Sequence, residues 1–365
     1  MDATLNSATV ANDEAAGVRA PLPSVAIGIL NFNRAAETID AITSALQVDY
    51  PPDRLTVILL DNASVDDSVD RVADTFGSRV EVVRLQQNLG PVARNRVMLT
   101  REEEYVIVLD EDCRLEDPST VRRVVDFLAS HREFGALCFA CWNPYLRIFE
   151  YGHPGDHYRR RHPDGTYEGM YVIGGGMVFR TSAIAGIEGY DERLVWGGEE
   201  YDLGLELLRH DIAIAYRRDF ALEHRQAPRA YTSVRTMEFD MRNNIWISLR
   251  RFPLPFGLLF AAIHIARRLL SAGLKRDRNR LRGYLRGIRS AMSRLPEFLS
   301  TRKPISYQQM WTNRKWIIQM FYAPRSYVAE HRQATRGREK GKGIREKGEN
   351  PKGRGRRTEF KGEVE

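Results

Sequence analysis

The run Tyr105-Val-Ile-Val-Leu-Asp-Glu-Asp112 constrains this chain most, because five apolar or β-branched residues lead into two carboxylates spaced i, i+2. Side chains alternate along a strand, so Asp110 and Asp112 share one side just past its carboxyl end, where open α/β sheets take ligands. Two hard oxygen ligands there can hold a divalent cation against a diphosphate. A lone Asp-x-Asp also reads as a solvated acidic turn, so the rest of the chain has to decide between the two.

The segments before it repeat a strand and then a helix. Residues 1–22 lack periodicity and end at Pro21 and Pro23, which predicts a disordered leader. Strands are expected at Val25–Leu30, Leu55–Leu60, Val80–Leu85 and Tyr105–Leu109, with helices at Ala35–Leu46, Asp66–Thr75 and Pro91–Leu99. Strands alternating with helices of about ten residues mean βαβ units and a largely parallel sheet. With 43% apolar residues in 365, the chain can bury a large core. Cys113, Cys138 and Cys141 are too few and too clustered for a disulfide framework, which points to a reducing compartment. No apolar h-region follows a basic n-region at the start.

The loops after the strands narrow the function. Asn31-Phe-Asn-Arg34 contains no Gly-x-Gly-x-x-Gly, which argues against a dinucleotide site; Gly174-Gly-Gly176 runs into Met-Val-Phe and is no P-loop. Asp61-Asn-Ala-Ser64 follows the second strand and Asn88-Leu-Gly-Pro-Val-Ala-Arg94-Asn95 the third, at the same sheet edge as Asp110 and Asp112. Further on stand Tyr171-Val-Ile-Gly-Gly-Gly-Met-Val-Phe-Arg180, Gly189-Tyr-Asp-Glu192, Glu199-Glu-Tyr-Asp-Leu203 and His224.

As an ordered set over roughly residues 24–250, these motifs resemble the family 2 glycosyltransferases, with the rhamnosyl- and galactofuranosyl-transferring branches the nearest in pattern. The resemblance implies a GT-A fold, a mostly parallel sheet flanked by helices over residues 23–250; composition and charge add a basic helical region over 251–331 and a charged disordered tail over 332–365. The resemblance also implies an inverting, metal-dependent enzyme that moves a sugar from a nucleotide-sugar donor to a hydroxyl of a glycan or lipid-linked glycan. Asp112 is then the principal ligand of Mn²⁺ or Mg²⁺, with Asp110 against metal and ribose and His224 completing the site. Asn33, Asp61 and Arg94 fall at the nucleotide sugar, with Asp61 at the base, and Trp196 and Asp202 at the acceptor. An isolated His in Ala-Leu-Glu-His-Arg also reads as structural.

The chemistry asks for these residue types. Cleaving a sugar–phosphate bond leaves extra charge on a diphosphate, which a bound cation stabilises as a Lewis acid. The acceptor hydroxyl must lose its proton as it attacks, so a carboxylate is needed as general base. Trp196-Gly-Gly-Glu-Glu-Tyr-Asp-Leu203 offers Glu199 and Glu200 where Leu203, Leu207 and Leu208 start a helix. Family members commonly carry Glu-Asp there with the second residue as base, which favours Glu200 and leaves Glu199 as its competitor. Acidic residues stabilising a helix N-terminus are the structural alternative.

The loop Tyr145–Tyr167 carries His153, His157 and His162 without a zinc-ligand spacing, and reads as an acceptor loop or lid. From Arg242 to Arg325, eighteen Lys and Arg face two acids and are interleaved with Phe256-Gly-Leu-Leu-Phe260, Ile263-His-Ile265 and Leu269-Leu270. The apolar stretch Phe252–Ala266 is short for a span, so interfacial helices on an anionic membrane surface are expected, at the cytoplasmic face. No nucleic-acid motif accompanies the charge. Two other classes stay open: a processive polysaccharide synthase, for which Gln226-Ala-Pro-Arg-Ala230 lacks the Trp of Gln-x-x-Arg-Trp, and a noncatalytic membrane- or nucleic-acid-binding protein with the same fold.

Overall fold

The structure is a computed structural model that describes residues 21–150, 158–169, 172–225 and 233–321. The expected leader up to residue 20, the tail 332–365, His153, His157 and the segment 226–230 lie outside the described residues.

β1 (Val25–Asn31), α1 (Ala35–Leu46), β2 (Leu55–Asp61), α2 (Ser68–Phe76), β3 (Glu81–Arg84), α3 (Asn95–Met98) and β4 (Tyr105–Asp110) follow in the expected order. The helix expected over Pro91–Leu99 divides into a 3-10 turn, Gly90–Arg94, and the single-turn α3. Every residue of β1 is buried, because helices cover both faces of the sheet; a strand buried on two sides reads as a continuous apolar run. α3 approaches so closely that a Cβ on Gly28 would lie 2.8 Å from Val97.

The chain continues through β5 (Cys113–Arg114), α4 (Thr120–Ser130), β6 (Phe134–Asn143), β7 (Ile148–Phe149), β8 (Tyr158–Arg161), β9 (Tyr167–Gly169), β10 (Gly176–Arg180), α5 (Glu199–Arg209) and β11 (Ala213–His224). The strands form one sheet ordered β3-β2-β1-β4-β10-β6-β11-β9-β8, with β5 beside β11 and β7 beside β6. The parallel half ends at β4. β10 runs antiparallel to β4 and β6, so the sheet is mixed rather than largely parallel.

The helical region begins earlier than residue 251. α6 (Val234–Arg251) carries α7 (Phe256–Leu274) and α8 (Arg278–Ser293) on its surface, followed by α9 (Leu295–Ser300), α10 (Tyr307–Thr312) and α11 (Arg314–Phe321). These helices share a second core with α5, built on Leu205, Leu208, Ile245, Trp246, Phe252 and Phe298. Trp246 stacks on Phe298 with centroids 3.8 Å apart. α8 reaches α6 through Gly283 and Gly287, where a Cβ would come within 2.6 and 2.5 Å of the α6 backbone. The division at 250/251 therefore cuts through one helix and its packing.

Candidate active site

Parallel register brings the ends of β1, β2 and β4 level: Asn31 lies opposite Asp61, and Leu30 opposite Asp110. Asp61 is wholly buried. Its Oδ1 accepts from Asn31 Nδ2 (3.1 Å) and its Oδ2 from the Ser64 amide (3.2 Å). Asn33, held at φ 56°, accepts the Val65 amide at 2.8 Å through its Oδ1. Asn62 clamps the next loop by donating to Asn88 Oδ1 (2.9 Å) and accepting the Leu89 amide (2.8 Å). Asp61 and Asn33, expected at the nucleotide sugar, are thus engaged in shaping the strand-end loops.

The carboxylates after β4 meet two guanidiniums. Arg94, buried, pairs with Asp110 and donates to the Pro91 carbonyl at 3.1 Å. Arg34 Nη1 donates to Asp112 Oδ2 (2.8 Å) and Glu111 Oε1 (3.0 Å). Burial alone would raise the Asp112 pKa, but His224 and Arg34 pull it down to about 2. Glu111 moves the other way, to about 7, through burial and the charges of Asp110 and Asp112.

Pairing of β5 with β11 sets His224 opposite Cys113, which explains how a residue so distant in sequence reaches Asp112. His224 Nε2 lies 3.3 Å from Asp112 Oδ1, while Nδ1 bonds to Glu150. Burial would lower the His224 pKa, but the two facing carboxylates push it up to about 10. Nε2 is buried and makes no hydrogen bond. Asp112, His224 and Cys113 bring an oxygen, a nitrogen and a sulfur within 4.8 Å of one another. A carboxylate beside an imidazole whose other nitrogen is held by a second carboxylate is a donor set that fits a divalent cation, which would displace the imidazole proton. Asp110 is not drawn into this group, because it turns to Arg94.

The acidic pair opens α5. Val195, Gly197 and Gly198 all have positive φ, and α6 holds this turn through Asn243 Nδ2, which donates to the carbonyls of Leu194 (2.9 Å), Trp196 (2.9 Å) and Gly197 (2.5 Å). Trp196 is half-buried on that turn. Glu200 Oε1 accepts from the Gly174 amide. A Cβ at Gly174 would lie 2.3 Å from that oxygen and 3.1 Å from Arg94 Nη2, so only glycine lets the chain pass between them. Burial and the neighbouring Glu199 charge raise Glu200 to about 8. Glu199 is buried, its Oε2 has no partner, and burial raises its pKa. Arg94 thus stands between Asp110, with which it pairs, and Glu200, which shares its surroundings at Gly174.

Asp202 corrects an expectation. Instead of facing an acceptor it is buried, with Oδ1 accepting from Arg251 Nε (2.7 Å) and Oδ2 from Arg251 Nη2 (2.7 Å) and Arg250 Nη1 (3.2 Å). Desolvated arginines arriving on α6 need these carboxylates, so Asp202 and Glu206 bind α5 to α6.

Sequence reasoning passed over the roles of Arg34, Glu150 and Asn243. Arg34 stood within a quoted motif and carried a signal, since a cation beside three carboxylates is an expected partner. Glu150 and Asn243 had none, because their partners lie 74 and about 46 residues away.

Residues 26–188, a little under half of the chain, match the family model described as Glycosyl transferase family 2. The succinoglycan biosynthesis protein ExoU of Rhizobium meliloti (strain 1021) is 39% identical over 88 residues, which are 23% of this chain and 25% of that protein. The match therefore spans a quarter of the curated relative. Among solved structures, S. aureus TarS 1–349 in complex with UDP-GlcNAc aligns with a TM-score of 0.54 at 16% identity, over 84% of this chain and 92% of that one. The mannosyltransferase PcManGT from Pyrobaculum calidifontis, in complex with GDP-Man and Mn²⁺, aligns at 0.50 and 16% identity, over 82% and 86%. At these identities the structures establish the fold, which is the mixed α/β GT-A fold.

Proposed function

We propose, for a chain whose residues 26–188 form a glycosyl transferase family 2 domain, that it moves one sugar, with inversion, from a nucleotide-sugar donor to a hydroxyl of a glycan or lipid-linked glycan. One observation carries the reading: buried Arg94 pairs with Asp110 at the β4 end and stands with Glu200 against Gly174, so the groups assigned to the donor and the acceptor lie around one guanidinium. Glycan acceptors are supported by the succinoglycan relative, and nucleotide-sugar donors by the complexes of the structural neighbours.

Asp112 and His224 would hold Mn²⁺ or Mg²⁺, which as a Lewis acid stabilises charge on the departing diphosphate. Glu150 keeps the His224 ring oriented toward Asp112. Arg34 and Arg94 supply fixed positive charge beside the same carboxylates and are the protein groups suited to diphosphate oxygens. Glu200, in its carboxylate form, accepts the acceptor hydroxyl proton as oxygen bonds to the anomeric carbon. The bond from that carbon to phosphate breaks on the opposite side, and its electron pair leaves with the nucleoside diphosphate. Burial gives Glu200 the raised basicity this needs. Trp196, half-buried beside the base, is the aromatic group for an acceptor sugar face.

The test is a panel of nucleotide sugars, rhamnosyl and galactofuranosyl donors among them, assayed for nucleoside diphosphate release with Mn²⁺ or Mg²⁺. Chelation and Asp112→Asn are expected to abolish turnover, and Glu200→Gln to lower transfer by about 10²–10⁴-fold with donor affinity retained. Full activity of Asp112→Asn in chelator would refute the metal assignment. A Glu199→Gln variant that is dead beside an active Glu200→Gln would move the base by one residue.

A further inference from the structure

α7 and α8 both lie on α6, and their outward faces differ from those of helices that only cover a core. On α7, Leu259, Ile263, Ala266, Leu270 and Leu274 follow at helical spacing on the exposed side, with Leu258 beside them. Leu270 and Leu274 are 64% and 78% exposed. The inward side, Gly257, Ala261, His264 and Ala272, is buried. α8 exposes Leu281, Leu285 and Met292 between Arg278, Arg282, Arg286 and Arg289. No carboxylate pairs with those four arginines among the described residues. From Phe256 to Ser293 the chain has nine Lys and Arg against one Asp. At the start of α7 the Tyr307 hydroxyl donates to the Leu254 carbonyl, adding exposed Tyr307 and Trp311 at that edge.

We propose that the outward faces of α7 and α8 form a docking surface for an anionic bilayer, with α7 lying in the plane of the interface. Leucines enter the acyl boundary while arginines on long apolar stems reach the phosphates. The tyrosine and tryptophan suit the headgroup level. Charge selects this occupant: a second copy stacked on the same face would set arginines against arginines, and a nucleic acid would leave the leucine row uncovered. α7 has 19 residues and a mean hydropathy of 1.3, enough in length and composition for a span. Its inward side is nevertheless committed to protein, and Arg267-Arg268 interrupt it at mid-helix. α6 is also the helix whose Asn243 holds the turn before Glu199, so docking would set the acceptor side of the cleft one helix layer from lipid. That last consequence rests on the proposed acceptor; the docking surface does not.

The test is flotation of the full chain with vesicles of phosphatidylcholine alone and of equal parts phosphatidylcholine and phosphatidylglycerol. Binding is expected only to the anionic vesicles, and to weaken as salt rises. Arg282→Gln with Arg286→Gln should lower the partition coefficient about thirtyfold. Leu259→Gln with Leu270→Gln should remove binding, while thermal melts and donor turnover stay at the parent values. Absence of binding at low salt, or equal binding by parent and both variants, would overturn the proposal. So would retention through high salt and alkaline carbonate, which marks a span, or a dimer in solution that the leucine variant splits.

Discussion

Asp202→Ala separates a structural carboxylate from an acceptor ligand. Asp202 is 1% exposed and receives three charge-assisted hydrogen bonds, two of them at 2.7 Å from Arg251, which is itself fully buried. Removing one partner of a buried ion pair costs about 3–5 kcal/mol, because the remaining charge is desolvated without compensation. Glu206 still faces Arg251, and Asp191 stands 2.8 Å from Arg250, so the lower end applies, about 3 kcal/mol. At about 2–4 °C per kcal/mol for a chain of this order, the melting temperature should fall by about 6–12 °C. Differential scanning calorimetry gives the shift, and steady-state kinetics with a fixed donor gives the acceptor KM. An unchanged melting temperature with a raised acceptor KM would refute the clasp between α5 and α6 and restore Asp202 to the cleft.

Because burial and Glu199 raise Glu200 to about 8, transfer by the free enzyme should rise with pH up to that region as the base loses its proton, and the rise should vanish in Glu200→Gln; a flat kcat/KM profile in the parent from pH 6 to about 9 would contradict it. Gly174→Ala puts a methyl 2.3 Å from Glu200 Oε1, so the carboxylate must swing away and transfer should fall at least about tenfold while donor binding, measured by calorimetry, persists. His264 is buried with its Nε2 unpartnered, and burial, with the charges of Arg268 and Arg267, lowers it to about 3. The unfolded chain then binds the extra proton, so stability is complete above pH 6.5 and is lost as pH falls, by about 2 kcal/mol at pH 5 relative to neutrality. His264→Leu should flatten that part of the curve in denaturant titrations.

What the sequence determined was local. β1, β2 and β4 announced themselves by runs buried on both faces, and Asp110 and Asp112 by their place just after β4, because a strand's period and its carboxyl end follow from neighbouring residues alone. The order of motifs, from Asn31 to Glu200, likewise survives any packing. Pairing across the chain belonged to the tertiary structure. Only the register of β5 against β11 brings His224 to Asp112, and only the return of the Ile148–Phe149 strand brings Glu150 to His224. Asp202 and Glu199 stand in one helical turn with the same chemistry, yet one meets Arg251 and the other the neighbourhood of Arg94. Which way each carboxylate faces depends on α6 arriving from some 45 residues away, a contact that no local periodicity encodes. The outer row of α7 illustrates the same limit: the sequence makes the helix apolar and basic, but only packing on α6 decides that Gly257, Ala261, His264 and Ala272 turn inward and leave Leu270 and Leu274 in solvent.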